Sequence, residues 1–462
     1  MRLGAISDVL NPISPLANLS LSTPHKVLVV GAAYGGLSAV VNLLDCEKGK
    51  GLRESYNLEA ANFKDKRSKR GVEITVIDER NGYFHSVGAP LAHTTPKHTA
   101  NMWKRFSHCN ELRHPSLHFR HGSIKRVDPE SKVAEWLDRS GQTHQQGYDY
   151  LVMATGLKRH WPAVPKSGSY EEYLKDSKAF ISKIVGGDPQ MPQEGRRVVI
   201  IGAGAVGVEF SGEIKNYYPG VNVTLIHSRD QVLSSEPLPS EVKDKVKDIL
   251  VEEGVEVITG NRASITEQPN GEFEIKLADG RILTADFVID STKKGEPTTG
   301  VLPDACLNED KEIEVNLDLS FKDKIPNAAS HFGVGDVVAW TGIKRAGSAM
   351  VMGQTAAHNI YAAILNSEIT NGPSEEQYKP ISLSHWGPVI GIAIGKQCLT
   401  WGAEGGMKYG VEVMQGYFGD DLGWSGNLKY MELTDVEEEK EPEKPEAVKM
   451  SEVGVQEISA AA

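Results

Sequence analysis

The twelve residues Val198-Val-Ile-Ile-Gly202-Ala-Gly204-Ala-Val-Gly207-Val-Glu209 restrict the fold of this chain more than any other stretch. An apolar run that reads as a buried strand ends in Gly-x-Gly-x-x-Gly and passes into a helical pattern. Each glycine has its own task. Gly202 permits the tight turn, Gly204 lets the backbone approach a pyrophosphate, and Gly207 lets the helix lie close to the strand. The free N–H groups at such a helix start, with a macrodipole worth roughly half a positive charge, hold an anion. A single turn of this kind says little, but a near-copy stands about 170 residues earlier.

That copy is Lys26-Val-Leu-Val-Val-Gly31-Ala-Ala33-Tyr34-Gly35-Gly36-Leu-Ser-Ala, with Ala33 in place of the middle glycine, so that a methyl group faces the phosphates. Two strand–turn–helix units in one chain predict two dinucleotides, one of which reduces the other. The expected fold class is α/β, with two Rossmann-like three-layer ββα dinucleotide-binding domains and a small C-terminal segment. At 462 residues the chain can build them with proper cores.

Composition narrows the function. No apolar run approaches the roughly 20 residues of a membrane span. The N-terminus has neither a signal-peptide pattern nor a glycine after Met1, so a cytoplasmic protein without a myristoyl anchor is expected, with association with membranes or mitochondria as the open alternative. The net charge of −12 argues against nucleic acid as the main partner. Half of that charge sits in residues 435–462, where nine acidic and three basic side chains with two prolines read as a disordered tail. Cys46, Cys109, Cys306 and Cys398 are widely scattered, so neither a redox-active disulfide nor a metal site is indicated. Electron transfer would have to run on cofactors.

In chain order, residues 1–24 read as a loose leader, and the first unit begins at Lys26 with a helix over about 37–47. Residues 48–71 form a polar, mostly basic insertion, read as a surface loop or as a patch for peripheral contact with membrane phosphates. The next strand ends in Asp78 followed by Glu79. An acid there suits an adenosine ribose, Asp78 being the first choice and Glu79 the second. Gly31 and Asp78 are 47 residues apart, against an expected figure of about 20, and the 24-residue insertion accounts for the difference. Asn81–Pro90 is a loop whose aromatic residues either pack under it or line a ring system.

A later strand runs into Ala154-Thr155-Gly156, small residues that let the chain cross between domains beside a cofactor. In the second unit the strand Val221–Ile226 ends not in an acid but in His227-Ser228-Arg229. A carboxylate there would repel a 2′-phosphate by about 4 kcal/mol at ~4 Å and an effective dielectric near 20. Without it NADPH is permitted, and His227 and Arg229 are placed to meet the phosphate. The chain then returns to the first domain at Gly333-Val-Gly335-Asp336, with Gln354 on the helical run 349–365. In a flavin protein an aspartate at the place of Asp336 can take a ribityl hydroxyl while the helix start faces a phosphate or a pyrimidine edge; as a bare Gly-Asp turn it carries no meaning.

The order Gly-x-x-x-x-Gly, Ala-Thr-Gly, Gly-x-Gly-x-x-Gly-Val-Glu, Gly-x-Gly-Asp resembles the two-dinucleotide flavoproteins of glutathione-reductase-like fold. The lack of a cysteine pair points to the branch of apoptosis-inducing factor and type II NADH dehydrogenases. Gly207-Val-Glu209 through Pro219, Val223–Ser228 and Tyr378-Lys379-Pro380 are similar to the ferroptosis suppressor protein 1 (apoptosis-inducing factor 2-like) family. The resemblance implies FAD on residues 25–165 and 285–370, NAD(P)H on 196–284 and a C-terminal domain over 371–434. It implies hydride transfer to the flavin and electrons leaving to a quinone or similar small acceptor. Glu209 would lie near the nicotinamide, and Lys379 near the flavin, where its charge stabilises the reduced ring. The alternatives are a flavin-dependent tailoring oxidase or monooxygenase, and a redox-gated signalling factor.

Overall fold

The computed structural model describes residues 23–53, 63–369 and 377–435. The leader 1–22, residues 54–62 of the basic insertion and the acidic tail 436–462 lie outside the described residues. The chain opens with β1 (His25–Val30), apolar on both faces because helices cover both, and passes through the first glycine turn into α1 (Tyr34–Glu47). Next come β2 (Val72–Asp78), β3 (Gly82–Phe84), the single-turn helices α2 (Ala89–Ala92) and α3 (Pro96–Thr99), and β4 (Trp103–Arg105). β5 (Leu117–Asp128), β6 (Val133–Asp138) and β7 (Thr143–Gly147) form an antiparallel flap, and β8 (Tyr150–Met153) returns to the centre.

β9 (Leu157–Lys158) leads out to α4 (Tyr170–Val185), which is capped at both ends. The Ser169 hydroxyl accepts the Glu172 N–H, and Gly186 closes the helix in the left-handed region at φ +82°. The second unit follows as β10 (Arg197–Ile201), α5 (Ala205–Tyr217), β11 (Asn222–Ile226), α6 (Ser240–Glu252) and β12 (Glu256–Ile258). The antiparallel β13 (Ala263–Glu267), β14 (Phe273–Leu277) and β15 (Ile282–Ala285) precede β16 (Phe287–Asp290). β17 (Glu296–Pro297) pairs antiparallel with β9, so the outgoing and returning connections between the two units are stitched together.

β18 (His331–Gly333) and α7 (Ala346–Ser367) complete the first unit. Its sheet has the order β18-β8-β1-β2-β5-β6-β7, and the five strands from β18 to β5 are parallel. The second sheet, β12-β11-β10-β16, is wholly parallel. Both orders put the strand that feeds the glycine turn inside the sheet, where its end can hold a ligand.

α1 and α7 lie against each other so closely that a methyl group on Gly353 would stand 2.1 Å from the Gly35 carbonyl oxygen. The C-terminal segment carries β19 (Val389–Ile394), β20 (Gln397–Gly402), β21 (Gly406–Gly410), α8 (Val411–Tyr417) and α9 (Trp424–Met431). It clasps both units. Gly212 of α5 meets Gly395 with no room for a side chain, and the Tyr430 hydroxyl reaches Ser38 (3.2 Å) and Asn42 (3.3 Å) on α1.

Two readings of single segments need amendment. The described part of the 48–71 insertion is not only a solvated loop, because Phe63 is fully buried against His358, Tyr361 and Tyr378. The helix expected over 349–365 begins three residues earlier, at Ala346. Among the described residues no helix is long and apolar enough to cross a membrane.

Candidate active site

The two glycine turns are the same object built twice. Gly31 has φ +95° and Gly202 φ +102°, values that L side chains rarely adopt. A methyl group on Gly36 would sit 1.8 Å from the Gly31 oxygen, and one on Gly207 would sit 1.9 Å from the Gly202 oxygen. Each helix therefore starts hard against its own strand. Ala33 and Gly204 hold the same N-cap place, and a methyl group added to Gly204 meets no atom within 4 Å. Neither N-cap residue offers a side-chain acceptor, so the first N–H groups of both helices are left for a ligand.

The strand-end residues serve the turns first. Asp78 Oδ2 accepts the Ala32 N–H (2.6 Å) and Oδ1 accepts the Arg80 N–H (2.7 Å). Burial pushes this carboxyl up, against the pull of Arg80. Two acceptor positions remain for ribose hydroxyls, and Glu79 beside it is exposed. In the second unit His227 Nδ1 accepts the Ala203 N–H (3.1 Å), and Nε2 then donates to Ser234 Oγ (2.8 Å). Both ring nitrogens are engaged and burial holds the imidazole below its usual range, so His227 is neutral. The expectation that it meets a phosphate is corrected. Arg229 is exposed and braced by the same serine (3.3 Å), and it supplies the positive charge at this strand end.

The remaining first-unit residues converge on Gly31. A methyl group there would stand 2.5 Å from the Ala154 oxygen, and Gly156, at φ +66°, takes Thr298 hydrogen bonds where β9 meets β17. Thr155 Oγ1 also reaches the Thr298 oxygen (3.4 Å). Gly35 approaches the Ala349 carbonyl of α7. Tyr34 is buried and donates to His85 Nδ1 (3.0 Å), since His85 Nε2 is already committed to the Leu422 oxygen (2.9 Å). Burial raises the Tyr34 phenol to about 12. Tyr83 (5.4 Å) and Trp424 complete this aromatic floor. Of the aromatic residues of the 81–90 loop, Tyr83 and His85 thus pack against Tyr34, while Phe84 packs on His93, Trp103 and Tyr173.

Gly335, at φ +77°, leads to Asp336, which forms an ion pair with Arg159 (2.9 Å). The Arg159 charge also acts on Glu209 and on Tyr34. Burial raises the Glu209 carboxyl to about 8, with Glu213 one turn further on pushing the same way. Arg159, three residues beyond Ala154-Thr155-Gly156, stands between the two units. Its place after that tripeptide was the signal in the sequence that could have found it.

Two expected residues lie elsewhere. Gln354 is more than two turns into α7, and its amide donates to Asn42 (3.3 Å) and to the Arg53 carbonyl (2.5 Å), so it fastens α7 to α1. Lys379 is exposed, and its neighbour Tyr378 is held by two hydrogen bonds to Asn366 in the last turn of α7. At 1.5 Å per residue that is about 30 Å from the start of this helix, too far for a role at the ring. A different part of the C-terminal strap arrives there. Trp386 lines a pocket with Gly335, Asp336, Trp340, Arg345 and Ala349, its N–H donating to Thr341.

This pocket tests the fit of a flavin. Trp340 Nε1 and Arg345 Nε are buried donors without an acceptor among the described residues. They stand beside the start of α7, as an acceptor-rich ring edge or phosphate requires. The donor set fits.

A model of the pyridine nucleotide-disulphide oxidoreductase family matches residues 57–356. The chain belongs to this family. Oxidoreductase OXR1 of Ajellomyces capsulatus is 39% identical over 428 residues, 90% of either chain. Human ferroptosis suppressor protein 1 is 27% identical over 248 residues, 54% of this chain and 56% of that one. Among solved structures, the water-forming NADH oxidase of Lactobacillus brevis bound to NADH superimposes with a TM-score of 0.57 at 18% identity. It spans 81% of this chain and 74% of its own. An engineered NADPH oxidase derived from it, bound to NADPH, gives a TM-score of 0.55 at 18% identity over the same shares. The family makes this a pyridine-nucleotide-dependent flavin oxidoreductase. All four cysteines are unpaired and buried, with thiols raised by burial.

Proposed function

We propose that the protein uses FAD to oxidise NADPH, and NADH less selectively, and passes the electrons to a quinone or similar small acceptor. The observation that carries this reading is the pair of glycine turns built alike on the two units, at Gly31–Gly36 and Gly202–Gly207, with Arg159 beside the paired connections β9 and β17 and ion-paired to Asp336. Two nucleotide turns in one chain are what transfer between two bound dinucleotides needs.

Bound FAD supplies a ring that accepts hydride and gives up electrons, which no side chain can do. The residues hold and orient. Gly31, Gly36 and the N-terminus of α1 take one pyrophosphate, with Ala33, Tyr34 and Gly35 shaping the approach, and Asp78 and Glu79 take the adenosine ribose. Asp336 takes a ribityl hydroxyl, and Trp340 and Arg345 offer their free donors to the ring edge. Gly202, Gly204 and Gly207 admit the coenzyme. Arg229 meets a 2′-phosphate where an acid would repel it, and the NADPH-bound engineered relative, whose substitutions remove an aspartate and add arginines, follows the same charge rule. Glu209 keeps a proton on its carboxyl near neutrality, and Arg159 lends positive charge where negative charge develops.

The test is spectroscopic. The purified protein should show flavin absorption that bleaches on anaerobic addition of NADPH, no slower than with NADH, and returns with a soluble quinone. A colourless protein that takes up no FAD would overturn the reading. A reduced protein that no quinone reoxidises would overturn its acceptor half.

A further inference from the structure

A cavity of about 510 Å³ opens between the outgoing connection at His160–Pro162, the second half of α4 and the outer edge of β16. It shares no residue with either glycine turn, and its size is that of a small-molecule site. Three properties of its lining select one kind of ligand.

Trp161, Phe180 and Phe287 form an aromatic corner. Trp161 meets Phe180 edge-on (5.2 Å, 88°), and Phe180 meets Phe287 (5.4 Å, 76°). His93 packs on the Trp161 ring at 4.6 Å and steadies it. The rim is cationic. Lys166, Lys183 and Lys293 line the cavity, and among the described residues none of their ammonium groups is in an ion pair, Lys166 standing 5.8 Å from the Trp161 ring. Two acids, Asp176 and Asp290, share the lining, Asp290 Oδ1 accepting the N–H and hydroxyl of Thr292 (2.9 and 2.5 Å), so the three lysines leave it one net positive charge. Finally, among the described residues β16 pairs only with β10, so one row of its backbone donors and acceptors faces away from the sheet along the cavity.

We propose that this cavity binds a planar aromatic anion, its ring in the Trp161–Phe180–Phe287 corner and its acid group among Lys166, Lys183 and Lys293. Aromatic walls select a flat ring, while unpaired ammonium groups select its charge. An occupant touches both the inter-unit connection and the coenzyme-side sheet, so binding there bears on how the two units sit together. The proposal does not depend on the electron acceptor.

The test uses the full-length flavin-loaded protein with NADP⁺ held at saturation, and 2-naphthoate titrated by calorimetry. One saturable site is expected, with about tenfold weaker binding after Lys183→Glu or Lys293→Glu and unchanged NADP⁺ affinity in both variants. Phe287→Ala should weaken it similarly, and neutral 2-naphthamide should bind about tenfold more weakly than the acid. No saturable binding, equal binding of the amide, indifference to both lysine substitutions, or competition between 2-naphthoate and NADP⁺ would each overturn the proposal.

Discussion

His227 and Asp78 are structural equivalents. Each ends the second strand of its unit, and each accepts the backbone N–H of the residue after the first turn glycine, at 3.1 and 2.6 Å. A neutral imidazole nitrogen does for the second turn what a carboxylate oxygen does for the first, without bringing a negative charge to the coenzyme.

The two residues at this strand end should therefore separate in coenzyme selectivity. Arg229→Ala is expected to weaken NADPH about tenfold and leave NADH nearly unchanged, because only the 2′-phosphate meets the guanidinium. His227→Ala removes the acceptor that shapes the turn and should weaken both coenzymes alike. Dissociation constants for the two coenzymes check this, and equal losses in Arg229→Ala would sink the account of selectivity.

Gly204 and Gly36 predict opposite failures. Gly204→Ala meets no protein atom within 4 Å. It should keep its melting temperature within about a degree, yet raise the NAD(P)H dissociation constant several-fold by placing a methyl group toward the pyrophosphate. Gly36→Ala drives a methyl group into the Gly31 oxygen and should yield protein that retains little flavin after purification. Ala33→Gly, which restores the usual residue of the turn, should be tolerated.

Arg159→Met is expected to slow anaerobic flavin reduction by NADPH at least tenfold with coenzyme affinity little changed, since the charge acts on both units from the hinge. Lys379→Ala should leave that rate unaltered. Stopped-flow absorbance distinguishes them, and a large loss in the Lys379 variant would mean that the strap reaches the ring after all.

Glu213 makes stability depend on pH. It is 1% exposed, its Oε2 has no partner, and burial raises its carboxyl from 4.5 to about 8, with Glu253 adding to the effect. Between those values the folded chain holds a proton that the unfolded chain has released, so stability is full below about 4.5 and falls as pH rises toward 8. Glu213→Gln should be more stable than the parent by several kcal/mol at pH 8.5, at most about 5, the difference fading toward pH 4.5. Denaturant midpoints measured across this range decide it, a pH-independent difference being the contrary outcome.

The turns were legible in the sequence because their requirements are local. A backbone at φ near +100° and a helix resting on its own strand admit only glycine at Gly31, Gly36, Gly202 and Gly207, and that demand is written at fixed spacing. The alternating strands of the flap and the apolar run of β1 were legible for the same reason, as periodicity within a few residues.

What the chain brings together from afar was decided by the tertiary structure alone. Arg159 gains its place because β9 and β17 cross between the units, and Trp340 and Arg345 because their donors find no acceptor among the described residues. Gln354 is diverted to Asn42 by the close approach of two helices, and Lys379 lies at the far end of α7 because its neighbour Tyr378 is bonded to Asn366. None of these contacts has a sequence period. Each depends on where a distant segment stops, which only the packing of the whole chain fixes.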